Sequence, residues 1–259
     1  MRTRARARAG SPGAGDNDGA DEARKRRRAA APCSCGSDLH NVIKKDADLL
    51  EKWREHGFAV VPANAAWRNA TKTAEFEWNK ANATYNRPND KNLNGQDRRA
   101  RQMIDLREDG RFQDLWRAAP KWRGKHTQAM TAMRNKEETP PQVYHVDYDT
   151  TNTNNATVPE RAGFFVYAIG EFVKVHVFPR SHTAPHELKN GVIEVSREYL
   201  REAIELPVPP GHFFVAHERL IHRGGGTDCG ELPEDTTRVH GHLLKPPAGG
   251  AFFPIKIQD

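Results

Sequence analysis

Cysteine is scarce, with three in 259 residues: Cys33, Cys35 and Cys229. An odd, widely spaced set builds no disulfide framework and fits a reducing compartment. Cys33-Ser34-Cys35 has no second Cys or His pair close by, so it does not complete a four-ligand zinc site. Long apolar runs are also missing. The longest, around Ala162–Ile169, is far shorter than the roughly 20 residues of a bilayer-spanning helix. No apolar h-region opens the chain, so neither a membrane span nor a secretory signal is expected.

Residues 1–36 carry almost no large apolar side chain and cannot offset the entropy of ordering. They are expected to form a disordered basic tail. Positions 1–32 hold nine basic and four acidic residues, so +5 of the net +6 sits there and +1 remains elsewhere. The excess charge thus gives no reason to expect a nucleic-acid groove on the folded domain. Arg24–Arg28 reads as a nuclear localisation signal or a contact to an anionic partner such as nucleic acid. The Arg- and Ala-rich start also has the composition of an organelle transit peptide. The expected location is intracellular: nucleus, cytoplasm or an organelle.

Residues 37–259 can bury one substantial core. Asp46–His56 has helical spacing, with Leu49, Leu50 and Trp53 on one face, and Gly57 stops it. Phe58–Val61 then reads as a buried strand. Residues 64–140 are polar and helix-prone, with Trp67, Trp78, Trp116 and Trp122 as packing anchors. Arg98, Arg99 and Arg101 read as a solvated helix face. From Gln142 the pattern switches to period two. Expected strands are Gln142–Tyr148, Arg161–Ile169, Glu171–Pro179, His212–His217, Leu220–Arg223, Thr236–Lys245 and Phe252–Ile257. Gly170 is expected to turn a hairpin, and Ser196 to cap a helix over Ser196–Ile204. The fold class is α+β, mainly β: a β-barrel core (141–259) behind a helical buttress (37–140).

His145 and Asp147 lie two residues apart on an extended segment and project from one face. A His and a carboxylate so placed form part of a facial site, in which two His and one acid hold Fe(II) and leave positions open. The third ligand must come from elsewhere. His222 lies near the end of a late strand, with His212, His217, His240 and His242 as alternatives by position. If the strands around it pair as a hairpin centred near Gly230, positions summing to about 460 face each other, which sets His222 beside Arg238. An arginine there can hold a carboxylate by a bidentate salt bridge.

Together LLEKWREHGFAVVPA, the His145-Val146-Asp147 motif, Val177–His182 (VFPRSH) and VPPGHFFVAHERLIHRGGG through Arg238 resemble the Fe(II)/2-oxoglutarate-dependent oxygenases, most nearly the phytanoyl-CoA hydroxylase-like branch. The resemblance covers most of residues 45–245 discontinuously. It implies a double-stranded β-helix (jelly-roll or cupin-like) fold, with Fe(II) on His145, Asp147 and His222. It also implies that Arg238 binds the C5 carboxylate of 2-oxoglutarate, and that O2 is consumed as succinate and CO2 leave. The family's P-G-S-H and P-G-D turns read here as Pro179-Arg180-Ser181-His182 and Pro210-Gly211-His212. The sixteen-residue step from His222 to Arg238 is longer than the family's usual one, and nearer that of AlkB and TET/base-J-like oxygenases.

Thr227 is a further candidate for co-substrate contact, and His240 and His242 for the cavity wall. Lys174 and His176 share a strand face and need a partner or a cavity. The expected function is hydroxylation of a small organic or lipid-like substrate. The alternatives are the same chemistry on a nucleobase or protein side chain, and a catalytically silent β-barrel binding module.

Overall fold

The computed structural model describes residues 46–72, 76, 78, 101–106, 129–148, 162–242 and 253–259. The basic tail, Arg98, Arg99, Trp116, Trp122 and the loop Thr150–Glu160 fall outside these residues. So do the side chains of Leu49 and Leu50. The described chain is mainly β, with few helices, and its strands form two sheets. None of its helices is long and apolar enough to cross a membrane.

Helix α1 (Asp46–His56) ends as its sequence dictates. The Gly57 N–H bonds to the Trp53 carbonyl at 2.8 Å with φ of +83°, a left-handed helix stop. A Cβ at Gly57 would collide with His182 Nδ1, so the close approach of a neighbouring turn also requires glycine. Strand β1 (Phe58–Pro62) follows directly. Helix α2 (Ala65–Lys72) begins where the Asn64 side chain accepts the Trp67 N–H at 3.0 Å. Trp67 is fully buried, edge-on to Phe213 with ring centroids 4.9 Å apart. Removing a ring so placed costs about 3–5 kcal/mol.

The described residues form further strands in chain order: β2 (Arg101–Asp105), β3 (Ala129–Asn135), β4 (His145–Val146), β5 (Ala162–Ala168), β6 (Lys174–Val177), β7 (Glu187–Lys189), β8 (Val192–Ser196), β9 (Ile204–Pro207), β10 (His212–His217), β11 (His222–Gly224), β12 (Arg238–His242) and β13 (Phe253–Gln258). The first sheet runs β1-β10-β5-β12-β3-β2 and the second β7-β8-β13-β4-β11-β6-β9. All neighbours are antiparallel except β8 and β13, which are parallel.

Alternation along the strands separates core from site. On the first sheet, Phe165, Tyr167, Phe213, Val215 and Val239 pack with Trp53 and Trp67 in one apolar core. The opposite face carries Phe164, Arg238, His240 and His242, and Phe164 meets His222 of the second sheet at 4.3 Å between ring centroids. On the second sheet, Val146 and Ile221 turn away from the site into another core with Phe178, Ile193 and Val195. The site therefore lies between the two sheets.

Several expectations give way. Residues 64–140 contribute strands β2 and β3 as well as α2. Arg101 is 5% exposed on β2, not part of a solvated helix face. Gly170 turns no hairpin: β5 belongs to the first sheet and β6 to the second. Gly170 marks the corner between them, its N–H bonded to Thr237 O at 2.8 Å and its Cα against the Asp235 backbone. Ser196 caps no helix; only a 3-10 turn over Arg197–Tyr199 follows, with no side-chain cap bond, and β9 begins at Ile204. The hairpin of His222 with Arg238 is also absent. β11 pairs with β4 and β6, and β12 with β3 and β5. The glycines after β11 explain the departure. A Cβ at Gly225 would come within 2.6 Å of Lys174 Cβ, and one at Gly226 within 2.5 Å of Thr139 O. That close passage carries the chain out of the second sheet and across to the first.

Candidate metal centre and anion pocket

The three residues that the HxD spacing and the late histidine suggested do come together. His145 and His222 are register partners across β4 and β11, with ring centroids 4.4 Å apart. Asp147, just past β4, sits with its Oδ1 3.5 Å from His145 Nε2 and its Oδ2 3.7 Å from His222 Nε2. All three residues are at most 5% exposed.

Backbone carbonyls fix both tautomers. His145 Nδ1 bonds Val143 O at 2.8 Å, and His222 Nδ1 bonds Leu220 O at 2.9 Å. A carbonyl can only accept, so each Nδ1 carries the hydrogen and each Nε2 turns its lone pair toward Asp147. Burial is the main cause that holds His222 down to about 4, which leaves the ring neutral at neutral pH. Burial pushes the Asp147 carboxyl up, but His222, His145 and His242 outweigh it and hold it below the ordinary carboxylate range. Asp147 Oδ2 is buried with no hydrogen-bond partner. Two imidazole nitrogens and a carboxylate with one orphaned oxygen make a donor set that suits a divalent cation.

A polar cluster surrounds Arg238. Its Nη1 donates to Thr236 O at 3.0 Å and its Nη2 to Asn135 Oδ1 at 3.1 Å. Asn135 in turn donates to Gly225 O at 3.3 Å. Burial, and then the like charge of Arg101, lower Arg238 to about 9, so it remains charged at neutral pH. Arg101 stands opposite Asn135 across β2 and β3 and donates to Pro140 O at 3.1 Å. Thr227 reaches the same segment, its N–H bonded to Thr139 O at 2.8 Å. Its hydroxyl is buried and unbonded. Arg238 thus stands on the facing sheet and not on a hairpin partner of His222. Arg101 was missed because alternation is weak in RQMID and the residues before it are polar.

His240 and His242 follow Arg238 on one face of β12, at 3.9 and 4.0 Å from Asp147 Oδ2. Burial holds His240 well below its ordinary range. Lys174 and His176 do not line this region. Lys174 binds Asp228 at 2.6 Å and Glu231 at 3.0 Å, and His176 binds Glu205 at 2.9 Å. The alternative ligands His212 and His217 lie elsewhere on β10. His212 bonds Pro210 O at 3.2 Å, and His217 contacts His182 and Trp53.

No family model and no curated protein matches the chain. Among solved structures, it is similar to the non-heme alpha ketoglutarate dependent carbocyclase SnoK from nogalamycin biosynthesis. The identity is 14% and the TM-score 0.41, over 78% of this chain and 84% of that one. It is likewise similar to the epimerase SnoN in complex with Fe3+, alpha ketoglutarate and nogalamycin RO, at 14% identity and TM-score 0.42, over 81% and 95%. AviO1 from Streptomyces viridochromogenes Tue57 matches at 16% identity and TM-score 0.46, over 82% and 100%.

Proposed function

We propose that the chain is an Fe(II)- and 2-oxoglutarate-dependent dioxygenase that hydroxylates a C–H bond of a small organic substrate. The observation that carries this reading is the convergence of His145 Nε2, His222 Nε2 and Asp147, with both imidazole tautomers pinned by backbone carbonyls. This donor set suits non-heme Fe(II) and leaves coordination positions free. The phytanoyl-CoA hydroxylase-like motifs of the sequence support the same assignment, with a double-stranded β-helix as the fold class they imply.

His145, Asp147 and His222 would hold the iron, and Arg238 the far carboxylate of 2-oxoglutarate. With iron, 2-oxoglutarate and O2 bound, the centre supplies an oxidant able to hydroxylate an unactivated C–H bond, and succinate and CO2 leave. The protein's own groups position and exclude. Val143 O and Leu220 O fix which nitrogen of each ligand faces inward, and Phe164 stacks beside His222 and shields it. Arg238, held by Thr236 O and Asn135, offers a preset fork to a carboxylate, and the buried Thr227 hydroxyl, which has no hydrogen bond, is a candidate further donor. The test is succinate formation from 2-oxoglutarate by the purified chain. It should require Fe(II) and vanish in His145→Ala; a protein that makes no succinate with any organic substrate class would remove the reading.

A further inference from the structure

Beyond the proposed iron centre, a second set of donors faces the same carboxylate. His240 and His242 are alternate residues of β12 and so share a face. His240 Nε2 lies 3.9 Å and His242 Nδ1 4.0 Å from Asp147 Oδ2, and the two rings meet edge-on at 4.6 Å between centroids. The donor atoms of Asp147, His240 and His242 all fall within 4.8 Å of one another. Asp147 Oδ2 is the buried oxygen that has no hydrogen-bond partner, and these nitrogens approach it.

We propose that Asp147, His240 and His242 form a second divalent-cation position, which shares Asp147 with the His145/His222 position and competes with it. Two imidazole nitrogens and one carboxylate oxygen suit Zn(II), Co(II) or Ni(II). Both sets draw on the single carboxylate of Asp147, and two dications sharing it would repel each other, so the two positions fill alternately. The second position is the more accessible. The His240 and His242 side chains are 19% and 17% exposed, against 5% and 6% for His145 and His222. It is also the weaker. The Tyr148 hydroxyl donates to Gly163 O at 2.7 Å and so accepts from His242 Nδ1 at 3.1 Å, a bond that His242 gives up on binding an ion there. Excess Zn(II) or Co(II) therefore draws Asp147 away from the first position and inhibits.

Co(II) is the probe, read by its visible ligand-field absorption and by equilibrium dialysis under anaerobic conditions, with folding checked by thermal melts. His145→Ala, which breaks the first set, should still bind one Co(II), at least tenfold more weakly than the unaltered chain. The double variants His145→Ala/His240→Ala and His145→Ala/His240→Gln should lose that ion. The proposal is overturned if His145→Ala binds no Co(II), or if both folded double variants bind it as well as the single variant does. Failure of the 2-oxoglutarate reading would show separately, as absence of co-substrate binding in the unaltered chain.

Discussion

His145 and His222 face each other across β4 and β11, and each donates its Nδ1 hydrogen to the carbonyl two residues before it. One local geometry is thus used twice on adjacent strands. It orients both rings toward Asp147 from the backbone of the strand pair itself. The ligand set is therefore as rigid as the strand pair that carries it.

Asp147→Asn should keep the fold, because amide and carboxylate have the same shape, and lose the metal. Fe(II) or Co(II) affinity should fall by about 10²-fold or more, since the charged donor is gone and its replacement coordinates poorly. Metal dialysis beside a thermal melt separates the two effects. A variant that binds metal normally would mean that the carboxylate does not face the ion.

Arg238→Gln should weaken 2-oxoglutarate binding by roughly 10- to 100-fold, the equivalent of about 1.5–3 kcal/mol for a charge-assisted hydrogen bond. Metal affinity should hardly change. Arg101→Gln should act in the same direction and more mildly, because Arg101 adds positive field to the pocket from across Asn135. Calorimetric titration of the metal-loaded variants checks both.

The last strand props up the site. β13 pairs with β4 through Phe253↔Val146 and Pro254↔His145, and with β8 through Ile255↔Ile193 to Gln258↔Ser196. Deleting residues 253–259 exposes the far edge of a two-residue ligand strand. It should cost about 4 kcal/mol or more, from lost ladder bonds and apolar burial. Metal affinity should drop with it, even though no ligand is removed.

Acid should unfold the protein through histidines remote from the metal. Burial is the main cause that lowers His182 to about 4, His186 to about 4 and His217 to about 3, all below the ordinary 6.5. Between roughly pH 6.5 and 4 the unfolded chain binds protons that the folded chain refuses. The unfolded state then holds more protons, so stability falls as pH falls, and the histidine contribution is fully present only above pH 6.5. Three such groups give a slope of at most about 4 kcal/mol per pH unit. Urea melts across this range should show it, and His217→Gln should flatten it.

What could be read from the residues was local. Asp46–His56, the stop at Gly57 and the strand at His212–His217 follow from spacing and one glycine, and the structure has the same bounds. The His145/Asp147 geometry follows from strand alternation. The partners were harder. Gly170 looked like a hairpin turn and the hairpin centre was set near Gly230, yet Gly170, Gly225 and Gly226 serve close chain passage where the chain changes sheets. That need arises only once both sheets exist. β2, β3 and the parallel β8–β13 pair carry weak or ambiguous patterns, so Arg101, Asn135 and their pocket stayed hidden. The place of Arg238 was legible by resemblance and not by register.

The most direct measurement of the central claim is an anaerobic titration of the Fe(II)-loaded chain with 2-oxoglutarate, following visible charge-transfer absorption. The expected result is a saturable band at one equivalent of each, absent in His222→Ala and shifted to much higher 2-oxoglutarate concentration in Arg238→Gln. A folded chain that holds Fe(II) without developing the band, or that holds no Fe(II), would contradict the account.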